Sequence, residues 1–486
     1  MNKNIFLFST FGLCENNSYL ATRLLNYFKI NNFKIVKKSN LSDVIVVCTC
    51  AFDNDRENNT KRMINRYIKH YLGKKLIVIV GCLPKIAPEF GNDDGIIKVG
   101  VDELHLLNEI FNSKILIENV KGNELNPGLS SFEYGFNKDY YVQISQGCVN
   151  NCSYCAIKKA KGNVKSKPIN NIILEIKEGI KLGYKRFVLL ADDCGSYGLD
   201  IGINFADLLN NIVVLHDAIK FNIHYIYPAQ LINLFDKIDK KVWDQIYFLN
   251  APIQSTSKKL IKLMNRNYNI TIFLNLIKKI KKLSPDIRLE THILYCFPGE
   301  TRENFLETLK LDKFFDLIIY FYYTDKKYTK SINFKNKICK SELMYRTNII
   351  CELIKINKHF KFGFDYTNKE LFESINKNYL IENPHLLLIY PKSNEDNTIS
   401  YPLGLLSISQ KLLEEGYHVK ILDQRLESNF ENKIINYIEN NNLVCISFSL
   451  VTGPQIKSMI KTIELIKNIK NIPIVVGGPH VTMLPN

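Results

Sequence analysis

The chain has 486 residues, of which 46% are hydrophobic, and its 64 Lys and Arg against 48 Asp and Glu give a net charge of +16. That is enough apolar material for about three globular domains, and no apolar run is long enough to span a bilayer. The twelve cysteines, with no secretory leader before the short apolar run Ile5–Phe8, argue against a disulfide framework and for metal or redox work in the cytoplasm. The basic balance suits an RNA partner, but the lysines form no single block, so charge alone lends that reading only modest support.

Residues 1–115 alternate apolar strands with amphipathic helices. Strands are predicted at Ile5–Phe8, Val44–Val47 and Leu76–Val80, with helices at Tyr19–Phe28 and Asn58–Tyr71. That order implies a small parallel α/β domain. A cysteine follows each strand: Cys14, Cys50 and Cys82. Loops beyond the C-terminal ends of parallel strands share one sheet edge, so these three thiols can converge on a metal site. The competing reading is three buried, inert cysteines.

The polar run Lys121-Gly-Asn-Glu-Leu-Asn-Pro-Gly reads as a linker. Between residues 136 and 350 the alternation resumes at longer period. Strands are predicted at Tyr141–Ser145, Arg186–Leu190, Asn222–Tyr227, Tyr247–Pro252, Arg288–Leu294 and Leu317–Tyr322, the pattern of a partial (β/α) barrel. In such barrels chemistry sits at the strand C-termini. There lies Cys148-Val-Asn-Asn-Cys152-Ser-Tyr154-Cys155. Three thiolates at this spacing can hold three irons of a 4Fe–4S cubane and leave the fourth open to a substrate or cofactor. A zinc knuckle is the rival reading. Residues 351–382 are short and lysine-rich. A third α/β pattern runs from His385 to Asn486, ending just after a strand at Ile474–Val476 that reads as its third. No solenoid repeat is visible.

The Cys148/Cys152/Cys155 spacing resembles that of radical S-adenosylmethionine (SAM) enzymes. Cys14-Glu-Asn-Asn17, Thr49-Cys50-Ala-Phe52 and Gly81-Cys82-Leu-Pro84 look like the N-terminal motifs of the methylthiotransferase family. So do Lys161-Gly-Asn-Val-Lys-Ser-Lys167, Val188-Leu-Leu-Ala-Asp-Asp-Cys-Gly-Ser-Tyr197, Pro252-Ile-Gln-Ser255, Met264-Asn-Arg266 and Phe297-Pro-Gly-Glu-Thr301. The resemblance covers roughly residues 5–350. It departs from the family pattern at Leu13, at Cys48 (normally Asn) and at Lys161 and Lys167 (normally Arg). The bidentate fork of arginine is lost at the last two.

The resemblance implies two 4Fe–4S clusters, a radical-forming one on Cys148, Cys152 and Cys155 and an auxiliary one on Cys14, Cys50 and Cys82. It also implies SAM as cofactor, with Tyr154, Asp193, Gln254, Arg266, Pro298 and Gly299 as candidate cofactor-binding residues. An external electron donor such as flavodoxin or ferredoxin is expected. The substrate is a ribosomal protein or a tRNA. Tyr225-Ile-Tyr-Pro228 is closer to the ribosomal-protein branch and Gln254-Ser255 to the tRNA branch, while the substrate-gripping β-barrel that usually ends both branches is not recognisable. Cys194, Cys296, Cys339 and Cys351 read as packed or incidental, and Asp192, Asp193 and Glu300 as either functional or solvated loop carboxylates.

Residues 385–486 resemble something else. Tyr401-Pro-Leu-Gly404, Gly416-Tyr-His-Val-Lys-Ile-Leu-Asp423 and Val476-Gly-Gly-Pro-His480 look like the cobalamin-binding domain that precedes many radical SAM barrels, which adds cobalamin to the candidate cofactors. That family form typically lacks a histidine ligand to cobalt, so His418 and His480 are not assigned to it. The expected fold is an incomplete Rossmann-like domain, a fragment of a longer fusion or a remnant. Two alternatives stand beside methylthio transfer: a radical SAM enzyme modifying a peptide or small metabolite, with or without cobalamin, and a non-catalytic iron–sulfur or zinc-binding module.

Overall fold

The computed structural model describes residues 3–9, 14–51, 53–126, 129, 139–363, 385–393, 402–414, 417–441, 443–450, 453–470 and 472–478. Leu13 and His480 lie outside the described residues. The chain divides into two compact units, Met1–Asp365 and Tyr366–Asn486.

The first unit opens with a five-stranded sheet built from β1 (Asn4–Ser9), β2 (Lys34–Ile35), β3 (Val44–Thr49), β4 (Leu76–Gly81) and β5 (Ile96–Gly100), in the order β2-β1-β3-β4-β5. All its pairings are parallel. β3 is buried at every position, as a parallel strand covered on both faces must be. The two strands absent from the sequence reading, β2 and β5, are short or only half-buried. The helices α1 (Glu15–Ile30) and α2 (Asn54–Tyr71) start four residues earlier than their apolar periodicity predicts. Their first turns carry polar residues, and Asp53 caps α2 by accepting from the Arg56 amide at 2.8 Å. The order in which successive strands are added reverses between β1 and β3, the switch point where open α/β sheets bind ligands. Cys14 follows β1, Cys50 follows β3, and Cys82 follows β4.

The same unit holds a second, seven-stranded parallel sheet: β6 (Asp139–Gln143), β9 (Arg186–Leu190), β10 (Lys220–His224), β11 (Ile246–Asn250), β12 (Arg288–Tyr295), β13 (Leu317–Tyr322) and β14 (Phe360–Phe362). The short β7 (Ser145–Gln146) and β8 (Lys165–Ser166) pair antiparallel beside it. The sheet strands neighbour one another in chain order from β6 to β14, and no pairing closes β14 onto β6 among the described residues. This is a partial barrel. β14 was not expected; it pairs with β13 after the helix Lys340–Ile356, so the sheet runs past residue 350. The predicted strand Asn222–Tyr227 in fact ends at His224, because Tyr225 takes φ 68° and turns the chain out of the sheet.

The second unit is a four-stranded parallel sheet of β15 (His385–Tyr390), β16 (His418–Asp423), β17 (Leu443–Ser449) and β18 (Ile474–Gly477), in the order β16-β15-β17-β18. Helices Leu403–Glu414, Phe430–Asn440 and Gln455–Ile469 connect the strands. The strand at Ile474 is therefore the fourth, not the third. Its core is built on Leu387, Ile389, Leu422, Ile434, Ile446, Phe448 and Ile466.

Gly81 ends β4 at φ 124°, and a Cβ there would stand 2.5 Å from the Thr49 carbonyl oxygen. Thr49 and Gly81 are the residues directly before Cys50 and Cys82, so this close approach sets the spacing of the two thiols. Gly81→Ala should cost about 1–3 kcal/mol in backbone strain. A lowered melting temperature, together with iron lost from the Cys14/Cys50/Cys82 site of a variant lacking the other cysteine triad, is the expected outcome.

Candidate functional site

The loop from Gly147 to Cys155 leaves the barrel at the C-terminal end of β6. Gly147 takes φ 84°, and a Cβ there would meet the Asn163 carbonyl oxygen at 2.3 Å, so the loop folds tightly against its own return strand. Backbone bonds pin its far side: the Ser153 amide donates to the Met264 carbonyl and the Ser331 amide to the Ser153 carbonyl, both at 2.9 Å. Each of the three sulfurs accepts an N–H. Cys148 Sγ takes both the backbone and side-chain nitrogens of Asn150 at 3.4 Å, and Cys155 Sγ takes the Ile157 amide at 3.4 Å. Cys152 Sγ takes the Arg266 guanidinium at 3.7 Å. Such bonds stabilise thiolates and raise the potential of a cluster they hold.

Cys14, Cys50 and Cys82 line a cavity of about 150 Å³ together with Cys155, Lys161 and Asp192. Cys14 is the N-cap of α1 but makes no capping bond, and its thiol meets that of Cys50 instead. Asn17 Nδ2 lies 3.7 Å from Cys82 Sγ. Cys48 is fully buried in the core and lines neither this cavity nor the larger one, so it packs rather than competes as a ligand. The helix after Cys82, α3 (Leu83–Ile86), packs on α5 (Ile157–Lys161), the helix after Cys155; α4 (Leu106–Phe111) lies between them in sequence. The two cysteine loops are thus locked side by side.

Between them sits an ion pair. Lys161 Nζ donates to Asp192 Oδ1 at 2.6 Å with both side chains at most 6% exposed, and Asp192 Oδ2 accepts the Gly147 amide at 2.8 Å. Burial opposes the charge on Lys161, but Asp192 outweighs it and holds the ammonium protonated. A second buried lysine, Lys326, donates to the Ala51 carbonyl next to Cys50.

A larger cavity of about 410 Å³ contains thiols of both sets: Cys14 on one wall, Cys148, Cys152 and Cys155 on another. Tyr154, Asp193, Gln254 and Arg266 line it as the sequence predicts. Arg266 is 6% exposed, donates to Tyr154 Oη at 3.0 Å and stacks on Tyr227 at 4.5 Å, while its Nε is buried with no partner. Asp193 is fully engaged, accepting from Asn150 Nδ2, Ser196 Oγ and the Gly195 and Tyr227 amides at 2.5–3.0 Å. It positions the Cys148 loop rather than offering a free carboxylate. Gln254 takes φ 70° and bridges to Ile293. Pro298 and Gly299 line neither cavity; Gly299 takes φ 84° and its amide bonds the Asn336 carbonyl at 2.9 Å. That turn shapes the strand end and does not meet the cavity.

Asp192, Asp193 and Glu300 are buried, which removes the solvated-loop reading; Glu300 pairs with the buried Arg346 at 2.5 Å. Cys194, Cys296 and Cys351 are buried and Cys339 is exposed, and none of them lines either cavity.

Sequence reasoning missed Glu15, Asn222, His224, Tyr225, Glu290 and His292, which also line the larger cavity. For Asn222 with His224 and Glu290 with His292 the signal is polar residues at i, i+2 on one strand, while Glu15 in α1 and Tyr225 beyond β10 give none.

The thiols test whether iron fits. Cys14 is raised through its hydrogen bond with Cys50 and by burial; burial pushes Cys82 up to about 11 and Cys155 up to about 12. Left to themselves these groups stay neutral, and a bound metal is what ionises such a thiol outright. Among the described residues no three His, Cys, Asp or Glu side chains gather closely enough to chelate one ion. A cluster takes one thiolate per iron and does not need them to meet at a point. The donor sets fit clusters.

Three family matches cover the chain: "Uncharacterized protein family UPF0004" at residues 5–94, "Radical SAM superfamily" at 142–311 and "B12 binding domain" at 395–486. A probable threonylcarbamoyladenosine tRNA methylthiotransferase of Pyrococcus abyssi is 33% identical over 57% of this chain and 67% of its own length. The ribosomal protein uS12 methylthiotransferase RimO of Thermosipho melanesiensis is 30% identical over 67% of this chain and 77% of its own. The chain belongs to the radical SAM methylthiotransferases. A tRNA-2-methylthio-N(6)-dimethylallyladenosine synthase of Clostridium perfringens, 28% identical over 73% of this chain, extends the likeness. The B12-binding match falls on the region of the second unit.

In this methylthiotransferase, Lys161→Met would strand the Asp192 carboxylate in the interior. The loss in unfolding free energy should be about 3–5 kcal/mol, read from the urea midpoint of the apoprotein, and Lys161→Met with Asp192→Asn should recover most of it.

Proposed function

We propose that the chain transfers a methylthio group to a carbon atom held in the larger cavity, with Cys148, Cys152 and Cys155 carrying the radical-forming cluster and Cys14, Cys50 and Cys82 an auxiliary one. The observation that supports this most is that one cavity is lined by thiols of both triads. A 4Fe–4S cluster with an open iron, together with SAM, supplies one-electron chemistry that no protein side chain can. The chain's own residues bind, orient and enclose. Arg266, with an unpartnered Nε beside Cys152 and Tyr154, is suited to the SAM carboxylate. Lys161, Asp192 and Asn150 hold the Cys148 loop in shape, and α3 packed on α5 sets it beside the auxiliary thiols.

The relatives are named for tRNA and for a ribosomal protein, and this chain's substrate is taken from those two classes. Residues 1–115 would carry the auxiliary site, 136–350 the radical SAM core and 385–486 a cobalamin-binding domain. A flavodoxin- or ferredoxin-type donor would supply electrons in the cytoplasm. No helix among the described residues is long and apolar enough to cross a membrane.

The B12-binding match favours one further reading, cobalamin-dependent methylation by the same barrel. Anaerobic reconstitution with iron and sulfide separates the readings. About eight irons per chain are expected in wild type and about four after Cys148, Cys152 and Cys155 are replaced by Ala. A product heavier by one methylthio group supports the proposal. A product heavier by a methyl alone assigns the cobalamin reading, and about four irons in wild type with none in the triple variant removes the auxiliary cluster.

A further inference from the structure

The Cys148–Cys155 loop has a back as well as a front. Its three cysteines and Tyr154 line the cavities, but Ser153, between Cys152 and Tyr154, lines neither and is 3% exposed. The bonds of Ser153 run outward, to two surface segments. Its amide donates to the Met264 carbonyl at 2.9 Å and its hydroxyl to the Leu263 carbonyl at 3.1 Å, while its carbonyl accepts from the Ser331 amide at 2.9 Å. Asn265 Nδ2 adds a bond to the Asn151 carbonyl at 2.7 Å. Leu263 and Ile332, at these contacts, are each 37% exposed. A single hydrogen bond therefore separates the residue after Cys152 from a side chain that meets solvent.

The two segments form one surface. The Gly299 amide donates to the Asn336 carbonyl, and a Cβ on Gly299 would stand 3.7 Å from Leu263 Cδ2. The Pro298–Gly299 turn, which lines neither cavity, thus joins the helix Lys258–Leu263 to the stretch Lys330–Asn336. Charge on this surface is of one sign. Residues 256–270 and 326–340 contain nine lysines and one arginine and no aspartate or glutamate. Lys327 and Lys337 pair with Glu89 and Asp325 from outside these segments. Lys258, Lys259, Lys262, Lys330 and Lys335 are exposed and have no carboxylate partner among the described residues.

An exposed apolar pair set among unpaired lysines has the composition of a docking site for an acidic protein. Which protein follows from where the site lies. A substrate must enter the cavity, and none of these exposed residues lines it. An electron needs only proximity to the cluster, because tunnelling falls steeply with distance. Nucleic-acid phosphates would suit the lysines but leave Leu263 and Ile332 uncovered.

We propose that a small acidic one-electron carrier protein docks on this surface, behind the loop and away from the cavity, with Leu263 and Ile332 at the centre of the contact and Lys258, Lys262, Lys330 and Lys335 steering it there. One electron passes to the cluster on Cys148, Cys152 and Cys155. The carrier is oxidised by one electron, the cluster is reduced by one, and no bond is made or broken. The assignment rests on the radical-forming role proposed for that cluster. Contacts of this kind are small, about 1,200 Å² or less in total. They owe their association rate to complementary charge, so salt slows them.

The test uses the holoenzyme with both clusters loaded and a reduced flavodoxin as the carrier. Rapid-freeze electron paramagnetic resonance follows reduction of the SAM-binding cluster, with dithionite as a small reductant that needs no docking. Dissociation constants are measured for oxidised flavodoxin and for a short single-stranded RNA. Lys262→Glu with Lys330→Glu should slow reduction by flavodoxin about ten- to a hundredfold at low salt and weaken flavodoxin binding by a similar factor. Iron content and the dithionite rate should not change. Lys240→Glu with Lys241→Glu alters the net charge equally, on exposed residues just before β11 and so at the other end of the strands, and should leave the flavodoxin rate nearly unchanged. An equal effect of the two pairs would overturn the docking site in favour of general electrostatics. Weakened RNA binding with an unchanged flavodoxin rate would give the surface to nucleic acid and overturn the carrier. Lys258→Gln with Lys335→Gln, a milder change with a smaller expected fall, decides the matter if the glutamate pair does not fold. A cluster reduced by dithionite, with no lysine variant altering the flavodoxin rate, sinks the docking site alone. A cluster that neither reductant reduces sinks the radical-forming reading with it.

Discussion

Two thiol triads can serve one reaction only if something fixes their separation, and in this chain that constraint is α3, after Cys82, packed on α5, after Cys155, with the buried pair of Lys161 and Asp192 at the junction. The triads come from different sheets, one from the five-stranded N-terminal domain and one from the partial barrel. Nothing in either sheet's hydrogen bonding sets the distance between them. Lys161 ends the helix that follows Cys155 and lies beside Cys14 and Cys82, while Asp192 holds the amide of Gly147 at the root of the Cys148 loop. A pair at this depth contributes little net stability, because desolvation cancels most of the attraction. Its value is positional. Either partner alone is a stranded charge, so the Cys148 loop and the helix after Cys155 are held in the one arrangement that keeps both charges satisfied.

A second tie runs through Glu15. As the first residue of α1 it stands next to Cys14, yet both its carboxylate oxygens are bound by residues at the end of β10. The N-terminal domain therefore contributes a wall of the barrel's cavity as well as a cysteine set. That explains why a single compact unit runs from Met1 to Asp365 where the strand pattern suggests two. The polar interior of the barrel belongs to the same economy: unpaired amides and buried acids weaken the sheet as a core, and are tolerated where a ligand completes them.

The strands of both sheets were legible because parallel strands buried on two faces read as continuous apolar runs, as in Val44–Val47 and Arg186–Leu190. The cysteine triads were legible because topology places every loop after a strand on one edge. Other features were not. β14 is three residues long and carries Lys361 at its centre, so it gives no apolar signal. Pro298 and Gly299 carry a recognisable motif, yet a motif does not say which way a turn faces. His224 and Glu15 are far apart in sequence, and only the packing of one domain on the other makes them a pair.

The raised thiols tie these elements together. Burial keeps Cys82 and Cys155 protonated at neutral pH, so holding a cluster requires protons to leave and positive charge to arrive in the same place. Metal binding and deprotonation are then one linked event, in a region already containing the cations of Lys161, Lys326 and Arg266. Lys326 and Arg266 offset part of the negative charge that two thiolate-held clusters would bring to adjoining cavities, while Lys161 is already balanced by Asp192. Without them, loading the second site would be opposed by the first. The basic residues around the cysteines are thus part of what allows two clusters to sit side by side, while the Lys161–Asp192 pair, neutral as a whole, fixes the shape of the Cys148 loop.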